Sequence, residues 1–123
     1  MPIKNILIVD DSATDRQFLS ELLVKNGYKV STADSAEDAL AKVKQHRPDL
    51  VLMDVVMPHM NGFEACRKIR QMEKTKNTPI ILVTTRGEES YVEAGFQSGC
   101  NDYITKPINS NELVSLLTSY LGE

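Results

Sequence analysis

Five short runs of aliphatic and β-branched residues recur along the chain, at 5–9, 28–32, 50–53, 79–83 and 102–105, and each is followed by a segment whose apolar side chains fall at helical spacing. Few folds satisfy such regular alternation. A strand that feeds a helix and then a parallel neighbour makes a right-handed crossover. Five such units predict an α/β domain: a three-layer, doubly wound, five-stranded parallel sheet with helices on both faces. The first, third and fourth runs are nearly continuous in apolar residues, as strands covered on both faces should be, whereas the second alternates like an edge strand.

The intervening segments carry their own punctuation. Ser12 stands three residues before Asp15, a capping-box spacing, and Phe18, Leu19, Leu22 and Leu23 form a stripe that stops at Asn26 and Gly27. Ser35 and Asp38 repeat that opening before Leu40 and Val43, with Pro48 as the stop. Asn61 and Gly62 open a third helix with Phe63, Cys66 and Ile69 on one face, and Asn109 with Glu112 opens the last, whose stripe is Leu113, Leu116, Leu117 and Tyr120. The weakest segment runs from 88 to 98. Its stripe of Tyr91, Val92 and Phe96 is thin, and Gly87, Gly95 and Gly99 loosen it.

With 123 residues the chain can bury a core without disulfides or a structural metal. Its periodic segments reach residue 121, so residues 1–123 are expected to form a single module with no output domain. No apolar run approaches bilayer length and no signal peptide opens the chain, which predicts a cytoplasmic protein without membrane insertion. A formal charge of −3 with both signs scattered excludes the basic face that nucleic-acid binding needs, so a free-standing transcription factor is not expected. Cys66 and Cys100 lie far apart without metal or redox spacing and read as packed, reduced thiols. His46, at a helix end, and His59, in a loop, read as surface residues.

Doubly wound sheets bind ligands outside the carboxyl ends of their strands, where strand order reverses. Asp10 and Asp11 stand at the end of the first strand and Asp54 at the end of the third. Converging carboxylates repel unless a cation joins them, and hard oxygen ligands with room for water suit Mg²⁺. Thr84 ends the fourth strand, and Lys106, followed by Pro107, comes just after the fifth. A carboxylate nucleophile, a metal held by other acids, a hydroxyl and an ammonium make a set suited to phosphoryl transfer, which needs little beyond positioning and charge neutralisation. A phosphatase of the haloacid-dehalogenase type would need a second Asp two residues after a first-strand nucleophile, where Ser12 stands instead. A flavodoxin-like carrier would need a phosphate-binding loop in place of the two acids.

Four segments, Asp10-Asp11-Ser12, LMDVVMPHMNG at 52–62, PIILVT at 79–84 and DYITKP at 102–107, resemble the signatures of bacterial response-regulator receiver domains, the CheY-like family. The resemblance runs the length of the chain, with the motifs in order at strand ends. It implies the strand order 2-1-3-4-5 and the following roles. Asp54 would accept a phosphoryl group from a histidine kinase, and Asp10, Asp11, Asp54 and the backbone carbonyl of Val56 would hold Mg²⁺ or Mn²⁺. Thr84 would be the switch hydroxyl, Lys106 the phosphate-pairing lysine and Tyr103 the aromatic that turns inward. Pro107 would follow a cis peptide. Such a protein is not an enzyme in the ordinary sense, since it promotes only its own phosphorylation and dephosphorylation.

Against that pattern, Val56 offers no polar group to orient an attacking water, and Thr85 is bulkier than the small residue frequent beside the switch position. Both predict a long-lived aspartyl phosphate, with Arg86 able to offset this or to serve a partner. The expected output is a population shift that exposes a protein-docking face on the fourth helix, fifth strand and fifth helix. Within the family the sequence is similar, more weakly, to single-domain regulators of chemotaxis and type IV pilus twitching. A diffusible effector is thus expected ahead of a phosphate sink or phosphorelay intermediate.

Overall fold

The structure, a computed structural model, describes residues 3–85 and 89–122. Strands β1 (Asn5–Val9), β2 (Lys29–Ala33), β3 (Leu50–Asp54), β4 (Ile80–Thr84) and β5 (Asp102–Thr105) form one parallel sheet in the order β2-β1-β3-β4-β5. Helices α1 (Ala13–Lys25), α2 (Ala36–Gln45), α3 (Gly62–Gln71), α4 (Glu89–Gln97) and α5 (Ser110–Leu121) alternate with the strands. The expected α/β architecture and strand order are both present.

Successive side chains of a strand point to opposite faces, and each face here carries its own core. Leu7, Val9, Val51, Met53, Ile80 and Leu82 pack with Val43 of α2 and with Phe63, Cys66 and Ile69 of α3. Ile6, Ile8, Leu50, Leu52, Ile81 and Val83 pack with Leu19 and Leu23 of α1 and Leu113 and Leu117 of α5. Burial of β3 and β4 along their whole length accounts for their continuous apolar sequences, while edge strand β2 alternates exposed and part-buried positions before Ala33.

Strand boundaries differ from the sequence reading by one residue, for identifiable reasons. Tyr28, expected to open β2, instead closes α1: its N–H donates to the Leu23 carbonyl at 3.0 Å, after Gly27 at φ 92°. The strand therefore starts at Lys29. β3 extends through Asp54, which pairs in register with Val83, and β4 extends through Thr84, which pairs with Thr105. Two aromatics expected in helical stripes lie at the surface instead, Phe18 at 47% and Phe96 at 48% exposure. In α1 the inward positions go to Leu19 and Leu23, one turn apart. In α4 the inward face is made by Tyr91, Ala94 and the buried Gly95. The start of that helix near 88, with Arg86 and Gly87, lies outside the described residues.

The sequence gives no hint of Arg70, whose guanidinium ties the ends of two loops together. It donates to the carbonyls of Gly99 (2.8 Å), Thr75 (3.2 Å) and Thr78 (2.6 Å) and to Asn101 Oδ1 (2.6 Å). Asn101 Oδ1 also accepts from the N–H of Ile80 at 2.9 Å, so this cluster fixes the entry to β4. Cys66 and Cys100 are free and buried; burial pushes both thiols above the ordinary range, that of Cys100 to about 12. His46 caps the C-terminus of α2 and His59 sits exposed at φ 69°. Among the described residues no helix is long and apolar enough to cross a membrane.

Candidate functional site

The chain leaves β1 toward β2 on one side and returns through β3 on the other, so the carboxyl ends of β1 and β3 flank the point where strand order reverses. Asp10 follows β1 directly and is 2% exposed; Asp54 is the last residue of β3 and is 7% exposed; Asp11 is exposed at the mouth. One carboxylate oxygen from each of the three lies within 4.8 Å of the others. Register alone makes this convergence, because Val9 pairs with Met53 and the next residue of each strand is an aspartate.

The local backbone locks these acids in place. Asp10 Oδ1 accepts from the N–H of Ser12 at 2.9 Å, Ser12 Oγ accepts from the N–H of Asp15 at 3.2 Å, and Arg16 donates to the Asp10 carbonyl at 2.7 Å. Ser12 thus caps α1 as expected. The reciprocal half of a capping box is absent, because Asp10 rather than Asp15 satisfies the Ser12 N–H. On the other side, Gly62 opens α3 so close to β3 that a Cβ there would stand 2.4 Å from the Asp54 carbonyl oxygen.

Lys106 reaches into the cluster from the end of β5. Its ammonium donates to Asp15 Oδ2 at 2.9 Å and to Asp10 Oδ2 at 3.0 Å, and lies 3.7 Å from Asp54 Oδ1. Its backbone N–H donates to the Thr84 carbonyl at 2.7 Å, and the Lys106–Pro107 peptide is cis. Burial opposes the charge on this lysine, yet its hydrogen bonds to Asp15 and Asp10 and its attraction to Asp54 raise its pKa above the ordinary value. Burial, then repulsion from Asp10, pushes the Asp54 carboxyl up to about 7 against the opposing pull of Lys106. Among the described residues, Lys106 is the cation ion-paired with these acids, and its single charge does not balance them. The residues fit a divalent cation: the donors are hard carboxylate oxygens, two of them buried, in a cleft open to water on the Asp11 side.

The other expected site residues occupy definite places. Thr84 is buried at the end of β4, one residue beyond Val83, the register partner of Asp54. Val56, two residues past Asp54, turns its side chain outward at 57% exposure, and Thr85 is also exposed. Tyr103 is half-buried on β5, and its ring lies where a Cβ on Gly95 of α4 would meet it at 3.0 Å. Arg86 lies outside the described residues. Asp15 is the site residue that sequence reasoning missed. Its spacing four residues after Asp11, one helical turn, was the available signal, but the spacing to Ser12 suggested a cap instead.

A doubly wound parallel sheet with clustered acids at its switch point and a lysine at the end of the last strand makes a pocket suited to a hard divalent cation. The sequence profile described as "Response regulator receiver domain" matches residues 6–118, and the chain belongs to that family. It is 40% identical over 117 residues to Protein PilH of Pseudomonas aeruginosa, covering 95% of this chain and 97% of PilH. It also spans about half the length of several transcriptional regulators that it matches. The solved structure of the chemotaxis protein CheY4 of Vibrio cholerae superposes with a TM-score of 0.93 at 36% identity, covering 98% of this chain and 100% of CheY4. The receiver domain of the sensor histidine kinase PA1611 of P. aeruginosa superposes at 0.91 with 30% identity, covering 99% of this chain and 100% of that one; it was solved with a magnesium ion coordinated in the active site cleft. The receiver domain is a signalling module.

Proposed function

We propose that the protein accepts a phosphoryl group on Asp54 from the phosphohistidine of a histidine kinase, and that the phosphorylated form binds a protein target. The observation that carries this reading is the meeting of Asp10, Asp11 and Asp54 within 4.8 Å beside the Lys106 ammonium. Asp10, Asp11, Asp54 and the backbone carbonyl of Val56 would hold Mg²⁺ or Mn²⁺, and such an ion supplies positive charge to the phosphoryl oxygens.

The chain's own residues do the rest. Ionised Asp54 presents a carboxylate oxygen to phosphorus; the new O–P bond forms as the N–P bond to the donor imidazole breaks, and its electron pair stays on the imidazole nitrogen. Lys106, within ion-pair reach of Asp54, takes one oxygen of the new phosphate, and the Thr84 hydroxyl takes another. Hydrolysis by water attack at phosphorus restores the carboxylate. The outward-facing Val56 gives that water no side-chain partner, which supports a long-lived phosphate. The protein thereby catalyses only its own phosphorylation and dephosphorylation.

The added phosphate charge is read out by packing. Tyr103 lies against Gly95, so movement of Thr84 and Lys106 toward the phosphate is felt where β5 meets α4. The α4–β5–α5 face is thus the docking surface for the target. Likeness to the chemotaxis protein CheY4 supports a chemotaxis or pilus-motility pathway in the cytoplasm.

Acetyl phosphate with Mg²⁺ should add one phosphoryl mass to the wild type, none to Asp54→Asn, and none in the presence of chelator. Thr85→Ala and Val56→Asn should each shorten the lifetime of the adduct. Equal labelling of Asp54→Asn contradicts the proposal.

A further inference from the structure

Asp15 contributes a fourth carboxylate to the site, and its partner is the lysine rather than the cluster of three. The Lys106 ammonium has three N–H donors. One goes to Asp15 at 2.9 Å and one to Asp10 at 3.0 Å, and Asp54 lies beyond hydrogen-bond reach at 3.7 Å. Asp15 is 43% exposed against 3% for the Asp10 side chain, so it forms the outer wall of the lysine's niche. Its position is built rather than accidental. The N–H of Asp15 is fixed to Ser12 Oγ and the next residue, Arg16, grips the Asp10 carbonyl, so Asp15 holds a set distance from Asp10. Without Asp15, the carboxylates left to Lys106 among the described residues are Asp10 and Asp54, whose oxygens are the ones a divalent ion requires.

We propose that Asp15 is a positioning residue that holds the Lys106 ammonium toward the outside of the site and so keeps the oxygens of Asp10 and Asp54 available to the cation. This inference rests on the cation-site reading above. An ammonium and a divalent ion compete for the same lone pairs, and an acceptor outside the ligand set relieves that competition. The same contact gives Lys106 a resting partner that it must leave to pair with a phosphate on Asp54. Asp15 therefore biases both the binding of the ion and the switching of the lysine.

The test is calorimetric titration of Mg²⁺ into four proteins: wild type, Asp15→Asn, Lys106→Met and the double variant. Asp15→Asn should weaken Mg²⁺ binding about 3- to 10-fold, which is the scale of one redirected charge near a protein surface. Lys106→Met should tighten binding, and in that background Asp15→Asn should change affinity by less than about 2-fold, since only the distant charge of Asp15 remains to be lost. Asp15→Glu, which restores a carboxylate within reach of Lys106, should recover most of the wild-type affinity. Equal losses in the two lysine backgrounds, or no loss in the wild-type background, overturn the role of Asp15 while leaving the cation site intact. A wild type that takes up no Mg²⁺ overturns the cation-site reading and this inference with it.

Discussion

Asp54→Asn is expected to make the ion-free protein more stable at pH 8 by about 3 kcal/mol, and to leave its stability at pH 4 nearly unchanged. Burial and repulsion from Asp10 push the Asp54 carboxyl up to about 7, whereas in the unfolded chain it returns to its ordinary value of 3.8. Between those two values the folded state binds the extra proton. Stability contributed by that proton is present below pH 4 and is lost as the pH rises through 7. Asparagine keeps the shape of the side chain and cannot ionise, so the penalty at alkaline pH disappears. Lys106 keeps its hydrogen bonds to Asp10 and Asp15 in the variant. Denaturant unfolding in chelator at pH 4 and pH 8 measures the difference. A variant no more stable than wild type at pH 8 would show that the acidic cluster carries no such strain.

The second large effect is expected at Gly62. Its φ is ordinary, so the constraint is space: a Cβ would meet the Asp54 carbonyl oxygen at 2.4 Å and Val55 Cα at 2.9 Å. Both are backbone atoms at the end of β3, and neither can yield as the tip of a side chain would. The Gly62 N–H also donates to the Val55 carbonyl at 2.9 Å, so α3 is pinned to the segment that carries the acceptor. Gly62→Ala should cost about 3 kcal/mol, at the upper end of overpacking penalties, and should slow phosphorylation by displacing Asp54. Gly27 is the natural control. Its φ is 92° but nothing lies within 4 Å of a Cβ there, so Gly27→Ala should cost only about 1 kcal/mol and leave phosphorylation intact. Equal costs at the two positions, read from urea midpoints, would contradict the steric explanation.

What the sequence discloses and what it hides divide along physical lines. Strand identity, helix starts at Ser12, Ser35, Asn61 and Asn109, and the placement of Asp10 and Asp54 at strand ends all follow from local periodicity and capping, and all are legible. Features that depend on how distant elements meet are not. Phe18 fits a helical stripe as well as Leu22 does, and only the final seat of α1 beside Lys106, Pro107 and Ile108 leaves its ring at the surface, lining a cleft of about 240 Å³. Arg70 looks like any charged residue of a helix end, yet its four hydrogen bonds reach across as many as 31 positions of sequence. Asp15 carries a signal that two structures compete to explain. Ser12 can be satisfied by Asp15 or by Asp10, and the turn after β1 brings Asp10 there first.

Everything proposed for phosphoryl transfer depends on a cation seated among Asp10, Asp11 and Asp54. Crystals soaked in Mn²⁺ and measured at the manganese absorption edge would report on that site directly. The expected result is one strong anomalous peak within about 2.5 Å of carboxylate oxygens from Asp10, Asp11 and Asp54 and of the Val56 carbonyl oxygen, with Lys106 still on Asp15. A cleft without a peak, its acids neutralised by Lys106 alone, would contradict it.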